Sequence, residues 1–277
     1  MPWHARLQLD YTAEHNARTV ARYEHNGPLR ILQSLYPEGD AICHNVLVHP
    51  PGGLVGGDTL DITATVGPGA HGLLTTPGAT RFYRSAGELA LQRTELTLME
   101  GARLEWLPLE ALCYDACQAE NRLTMHLAPG AALLGWDVTA LGLPGANLPF
   151  ASGRFQQHLE VPGLWLERGH IDATDERLLN SPLGLAGHRC LASAFFITGS
   201  PLGRNTRQDA LDAARTVIDT HSLAASAGAT SPNGQVVIVR TLAPLVEPAM
   251  DLMRRVRAAW RGLFWELPAA NPRIWAL

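Results

Sequence analysis

A chain of 277 residues, 46% hydrophobic and only 17% charged, carries ample apolar material for one large core or two small ones. A net charge of −4 gives no basic footprint for nucleic acid, and no run approaches the roughly 18 apolar residues of a membrane span. All 22 basic residues are arginine, so P-loop and Schiff-base chemistry, which need a lysine, are excluded.

Taken in chain order, Met1-Pro2-Trp3-His4-Ala5-Arg6 lacks the apolar centre of a secretory signal, and the chain reads as cytoplasmic. Arg6-Leu7-Gln8-Leu9-Asp10-Tyr11 alternates with period two and predicts a strand. The next distinctive stretch is His49-Pro50-Pro51-Gly52-Gly53-Leu54-Val55-Gly56-Gly57-Asp58. Pro50 and Pro51 fix φ and withhold two backbone donors. Gly52, Gly53, Gly56 and Gly57 permit positive φ or close backbone approach. The order G-G-x-x-G-G-D is not the dinucleotide fingerprint, and Thr59 to Val66 alternates like a strand where that fingerprint needs a helix. Read alone, this is a shaped connection between strands.

Leu91 to Leu98 and Gln235 to Val239 are further period-two runs. Gly69-Ala70, Gly101-Ala102 and Gly130-Ala131 each open an apolar strand, at a spacing of roughly 30 residues. The echo predicts stacked strand pairs, with a β-sandwich and a β-solenoid both open. Two helices follow, one from a capping-box-like Thr206-Arg207-Gln208-Asp209 and one from Glu247-Pro248. Leu252, Met253, Val256, Ala259, Trp260 and Leu263 form the apolar stripe of the second, and Arg254, Arg257 and Arg261 read as its solvated basic side. With Phe264-Trp265 this helix offers an apolar face for a partner. Ser222 to Gly234 reads as a flexible Ala/Gly/Ser connection. The expected fold is mainly β: one domain over 1–277, a large layered β-sandwich or β-solenoid-like body, β-rich over 1–200, with two helices and a returning strand over 201–277.

Cys43, Cys113, Cys117 and Cys190 match no zinc-ribbon spacing and read as idle buried thiols. Glu105, Asp137 and Glu167 sit inside apolar or aromatic runs, where a carboxylate must be paired or wet. By strand alternation each faces away from its neighbours, so Asp137 points opposite Trp136. His49 and Asp58 are weak candidates for a transient metal site. There is no G-x-S-x-G elbow and no H-x₃-H pair on a helix.

Six ordered blocks carry a family resemblance. His49 to Asp58 resembles the H-P-P-G-G-[IVL]-V-G-G-D signature of the urease accessory protein UreD (UreH) family. Leu74-Thr75-Thr76-Pro77-Gly78-Ala79-Thr80-Arg81-Phe82-Tyr83-Arg84-Ser85 resembles its T-x-P-G-A-[TS]-K-F-Y-R-S segment, with arginine at 81 where the family usually has lysine. Leu104-Glu105-Trp106-Leu107-Pro108, Leu133-Leu134-Gly135-Trp136-Asp137, Leu166-Glu167-Arg168 and Pro272-Arg273-Ile274-Trp275 complete the set. Leu141 to Phe150 departs from the family's L-G-R-P-x-x-G-E-x-F, lacking its arginine and glutamate.

The resemblance implies a non-enzymatic accessory protein that docks on apo-urease and on UreF, which recruits the GTPase UreG. Nickel released by UreG then reaches urease along a protected interior route. It further implies a structural or partner-facing loop of Pro50, Pro51, Gly52, Gly53, Gly56 and Gly57 with Tyr83 and Arg84. The implied nickel route is Asp58, Asp137 and Glu167, with nickel transient and no tightly bound cofactor. Oxygen ligands hold Ni²⁺ weakly enough to let it leave. Two other readings stay open: a β-rich hydrolase or isomerase using Asp58 and His49, and a purely structural scaffold.

Overall fold

The computed structural model describes residues 2–15 and 17–276. The chain enters through an antiparallel pair, β1 (His4–Ala13) and β2 (Thr19–Asn26), and a short β3 (Arg30–Ile31). It then winds as a solenoid between two facing sheets. β4 (Ile42–Val48) passes through the glycine-rich loop to β5 (Thr59–Val66). The next coil is β6 (His71–Thr75), β7 (Thr80–Phe82) and β8 (Ala90–Leu98). A third is β9 (Arg103–Leu107), β10 (Ala111–Cys113) and β11 (Cys117–Leu127). The fourth is β12 (Ala132–Leu141) and β13 (Gly153–Val161). Equivalent strands of successive coils pair in parallel.

Three turns between the sheets repeat one geometry. Gly69, Gly101 and Gly130 have φ of 67°, 66° and 76°, a region that favours glycine. Each is followed by an alanine whose N–H closes the turn, Ala70 to Gly67 O, Ala102 to Met99 O and Ala131 to Ala128 O, at 3.0–3.1 Å. The turns also stack, with Arg103 N donating to Ala70 O and Ala132 N to Ala102 O, both 2.9 Å. The Gly-Ala echo in the sequence is this stacked turn, which decides for a solenoid-like stack of sheets.

The parallel stack stops where β14 (Trp165–Asp172) folds back antiparallel on β13. A short α1 (Glu176–Asn180) leads to β15 (Cys190–Thr198), antiparallel to β12. After α2 (Arg204–Asp219), β16 (Ala227–Asn233) and β17 (Val236–Ala243) extend that sheet, and α3 (Val246–Trp265) lies across its outer side. The first sheet runs β14-β13-β11-β8-β5-β1-β2 and the second β16-β17-β15-β12-β9-β6-β4-β3, with β10 beside β12 and β7 beside β10. No helix among the described residues is long and apolar enough to cross a membrane.

One core fills the space between the sheets and another the space between the second sheet and the helices. Period-two alternation divides the central strands of the second sheet, β6, β9, β12, β15 and β17, between them. On β12, Leu133 and Leu141 join the first core, whereas Leu134, Trp136 and Val138 join the second.

The C-terminal third differs from expectation in four respects. Residues 227–233 form the edge strand β16, a run of small residues in which Ala229 packs against the helices, so no apolar period announces it. α2 starts at Arg204 with Gly203 as its cap, and no side-chain capping bond forms. The apolar face of α3 is taken by its own sheet: Trp265 is buried and Phe264 stacks on Phe196 at 3.6 Å. Arg257 and Arg261 are not solvated but 1% and 0% exposed. The reason is Glu105, which β9 points outward into the helical layer. Arg257 Nε donates to Glu105 Oε2 at 2.6 Å, and Arg261 Nε lies 3.2 Å from Oε1. Arg261 also donates to Glu38 at 2.8 Å.

The same two arginines fasten the segment beyond α3. Arg261 donates to Pro268 O at 2.7 Å and Arg257 to Ala270 O at 2.8 Å. Trp275 then seats on Trp136, ring centres 5.4 Å apart, and donates to Thr75 Oγ1 at 2.9 Å. Three resemblance blocks, around Glu105, Trp136 and Trp275, thus meet in one layer. Removing one partner of such a buried cluster leaves unpaired charge inside. Glu105→Gln is expected to cost about 3–5 kcal/mol in chemical denaturation. Asp212→Ala, which breaks an exposed pair with Arg215, should stay within about 0.5 kcal/mol.

Candidate functional site: a polar seam between the sheets

The glycine-rich loop is a folded buttress. Gly52 and Gly57 have φ of 77° and 90°. Leu54 N donates to Arg81 O at 2.7 Å and Tyr83 N to Leu54 O at 2.8 Å, so the loop pairs with the segment of the second resemblance block. A Cβ on Gly53 would run into the Tyr83 ring and stand 2.8 Å from Arg81 O; one on Gly56 would meet Ser85 and stand 2.8 Å from Glu88 O. Pro50 and Pro51 are exposed at the rim. Beside the loop, Tyr83 packs on Tyr114 at 4.9 Å, and exposed Arg84 reaches Asp115 at 3.9 Å. These residues line a shallow groove with Leu143, Leu148 and Pro149 from the divergent 141–150 segment.

Asp58 is buried within this buttress. Its Oδ1 accepts from Trp3 N and its Oδ2 from Val55 N, both at 2.9 Å. Both oxygens are therefore committed to holding the loop and the N-terminal strand. Burial lowers the proton affinity of His49, with Asp58 opposing the shift. No hydrogen bond joins the two among the described residues, so they form no acid–base pair. Nor do three or more His, Cys, Asp or Glu side chains cluster as a metal centre among the described residues. The four cysteines are buried and free.

Asp137 and Glu167 lie elsewhere, and together. Asp137 is 6% exposed and points between the sheets, opposite Trp136. Its Oδ2 accepts from Asn121 at 2.8 Å; its Oδ1 accepts from Gln157 at 2.5 Å and Thr139 at 3.3 Å. No cation pairs with it among the described residues. Gln92, Asn121 and Gln157 occupy one register level on β8, β11 and β13, and Gln92 donates to Asn121 at 3.2 Å. On the facing sheet Asp137, Ser193 and Arg240 share a level on β12, β15 and β17. Glu167 projects inward from β14 against that row, accepting from Ser193 at 3.1 Å and from Arg240 at 2.8 and 2.5 Å.

The result is a polar seam crossing the stack at right angles to its strands. At one end a cleft of about 270 Å³ is lined by His49, Gly52, Thr80, Arg81 and Gln92. Thr80 and Gln92 also line an inner cavity of about 20 Å³, shared with Asn121, Asp137 and Thr94. Thr94 Oγ1 is buried there without a hydrogen-bond partner among the described residues. A space of that size holds one water-sized guest, with Trp106, Leu109 and Leu123 completing its walls alongside the polar groups. At the other end Glu167 and Arg240 reach solvent, with side chains 21% and 46% exposed. Asp58 lines neither cleft nor cavity.

Asn121, Gln157, Ser193 and Arg240 escape a reading by motif. The available signal is one of phase: Gln92, Asn121 and Gln157 are polar at positions whose alternation marks them as interior.

Fold and seam define a solenoid of paired sheets whose apolar core is crossed by one polar seam. The chain matches the family model described as UreD urease accessory protein over residues 4–276 and belongs to that family. It is 71% identical over 277 residues to the urease accessory protein UreD of Verminephrobacter eiseniae, covering both chains completely. It has the same identity and coverage with that of Paracidovorax citrulli, and 55% identity over 276 residues with that of Leptothrix cholodnii, covering 99% of each chain.

Burial pushes the Asp137 carboxyl up to about 6, against hydrogen bonds from Gln157, Thr139 and Asn121 that pull it down. Between about pH 4 and 6 the folded chain therefore keeps a proton that the unfolded chain has released, and this group's contribution to stability falls as pH rises. The ionised carboxylate costs roughly 3 kcal/mol at neutral pH. Asp137→Asn should hold or raise the melting temperature at pH 7.5, since Asn121 and Gln157 can turn their amides to suit it. It should also flatten the change in stability between pH 4.5 and 7.5. Gly53→Val should behave oppositely, costing well over the roughly 1 kcal/mol of a typical substitution and lowering the melting temperature at every pH.

Proposed function

We propose that this chain serves urease maturation in the cytosol as a non-catalytic conduit and scaffold for nickel. It docks on apo-urease and on UreF, which brings UreG, and the seam is the protected route from one to the other. Family membership supports the first part. The observation that carries the second is Asp137: a buried carboxylate with no counter-cation among the described residues, midway along a polar row that meets solvent at both ends.

The route is Asp137 and Glu167, with the Asn121 and Gln157 amides against Asp137 and that of Gln92 toward the cleft as neutral groups along it. Asp58 leaves the route and becomes part of the docking buttress with Gly52, Gly53, Gly56, Gly57, Tyr83 and Arg84. Oxygen ligands alone suit a cargo that must leave, because Ni²⁺ binds them more weakly than imidazole or thiolate. Nickel is cargo here, and no tightly bound cofactor is required.

The test is nickel per urease active site after co-expression with the urease and accessory subunits, at matched levels of assembled complex. Asp137→Asn and Glu167→Gln should lower loading several-fold while complex yield holds. Asp58→Asn should lower complex yield and nickel in proportion. Loading that follows the amount of folded complex in all three variants would rule out the interior route.

A further inference from the structure

Glu167 is the outer carboxylate of the seam, and a cation already holds it. Arg240 places Nε and Nη2 on Glu167 Oε2 at 2.8 and 2.5 Å, while Ser193 donates to Oε1 at 3.1 Å. Arg240, Ser193 and Asp137 stand side by side on three paired strands, so the guanidinium sits two strands from the buried, unpaired Asp137. The Arg240 side chain is 46% exposed, and its Nη1 reaches Thr230 Oγ1 at 3.5 Å. It can rotate into water without unpacking a core.

We propose that Arg240 is the selectivity latch of the seam, a tethered cation that closes the Glu167 end until a divalent ion displaces it and that reclaims Glu167 as the ion departs. This rests on the passage reading above. A monovalent ion reaching Glu167 would exchange one unit charge for another and give up two charge-assisted hydrogen bonds, so it does not open the latch. A divalent ion brings twice the charge to the same carboxylate. A partly exposed ion pair is held loosely enough to part on arrival of that ion. The returning guanidinium then lowers the ion's residence at Glu167, as a transit site requires. Selectivity comes from the competitor built into the fold as well as from the ligands.

The experiment is calorimetric titration of Ni²⁺ into the full chain, with and without excess K⁺, for wild type, Arg240→Gln, Arg240→Lys, Glu167→Gln and the Arg240→Gln/Glu167→Gln double variant. Arg240→Gln should bind Ni²⁺ about tenfold tighter, the scale of one charge-assisted interaction. It should also become sensitive to K⁺. Arg240→Lys, which keeps the charge and loses the fork, should lie between it and wild type. In the double variant the gain should vanish. Unchanged Ni²⁺ affinity in both Arg240 variants overturns the latch, and if Arg240→Gln does not fold, Arg240→Lys alone decides in the same way. Failure of the passage itself is read separately: Ni²⁺ binding that neither Glu167→Gln nor Asp137→Asn weakens removes the route and the latch with it.

Discussion

The buried meeting of Glu105 with Arg257 and Arg261 is the contact on which the rest of the architecture leans. Glu105 comes from the second sheet, the arginines from α3, and the Nη1 group of each arginine holds the segment that carries Trp275. Sheet, helix and terminal segment are thus joined through three side chains that are almost fully buried. The cluster is not fully satisfied. Glu105 Oε1, His71 Nε2, Arg257 Nη2 and Arg261 Nε have no hydrogen-bond partner among the described residues. His71, beside them, is held neutral, its proton affinity lowered to about 3 by burial and by Arg103 and Arg261. Buried charge of this kind adds little stability over an apolar core but is costly to disturb, which suits a contact that fixes geometry.

The same strands serve two chemistries. β9 turns Glu105 to the helices and Leu104 and Trp106 to the space between sheets; β12 turns Trp136 to the helices and Asp137 to the seam. The outer layer neutralises its acids with arginines, while the seam leaves Asp137 to neutral amides. That contrast separates a structural charge from a functional candidate, and it lies in the partners rather than in the depth of burial.

Much of this is legible in the sequence alone. Period-two alternation placed Asp137 opposite Trp136, and the Gly-Ala echo marked the stacked turns. What stayed hidden depended on distant pairing. Arg257 reads as a surface residue until Glu105, 152 positions earlier, is known to face it. Asp58 lies in a matched block, which says nothing of what its carboxylate touches. Only the folded chain shows its two oxygens spent on backbone amides. Arg240 carries no motif at all, and its meaning comes from Glu167, 73 residues away in sequence.

The sequence separation within the central cluster also bears on biosynthesis. Translation delivers Glu105 long before Arg257 and Arg261, so the nascent solenoid exposes an acid whose counter-charges are not yet made. Until α3 leaves the ribosome, the outer side of the second sheet is an open apolar surface with a solvated carboxylate in it. The outer side of the second sheet can therefore be covered only after the last quarter of the chain has been made.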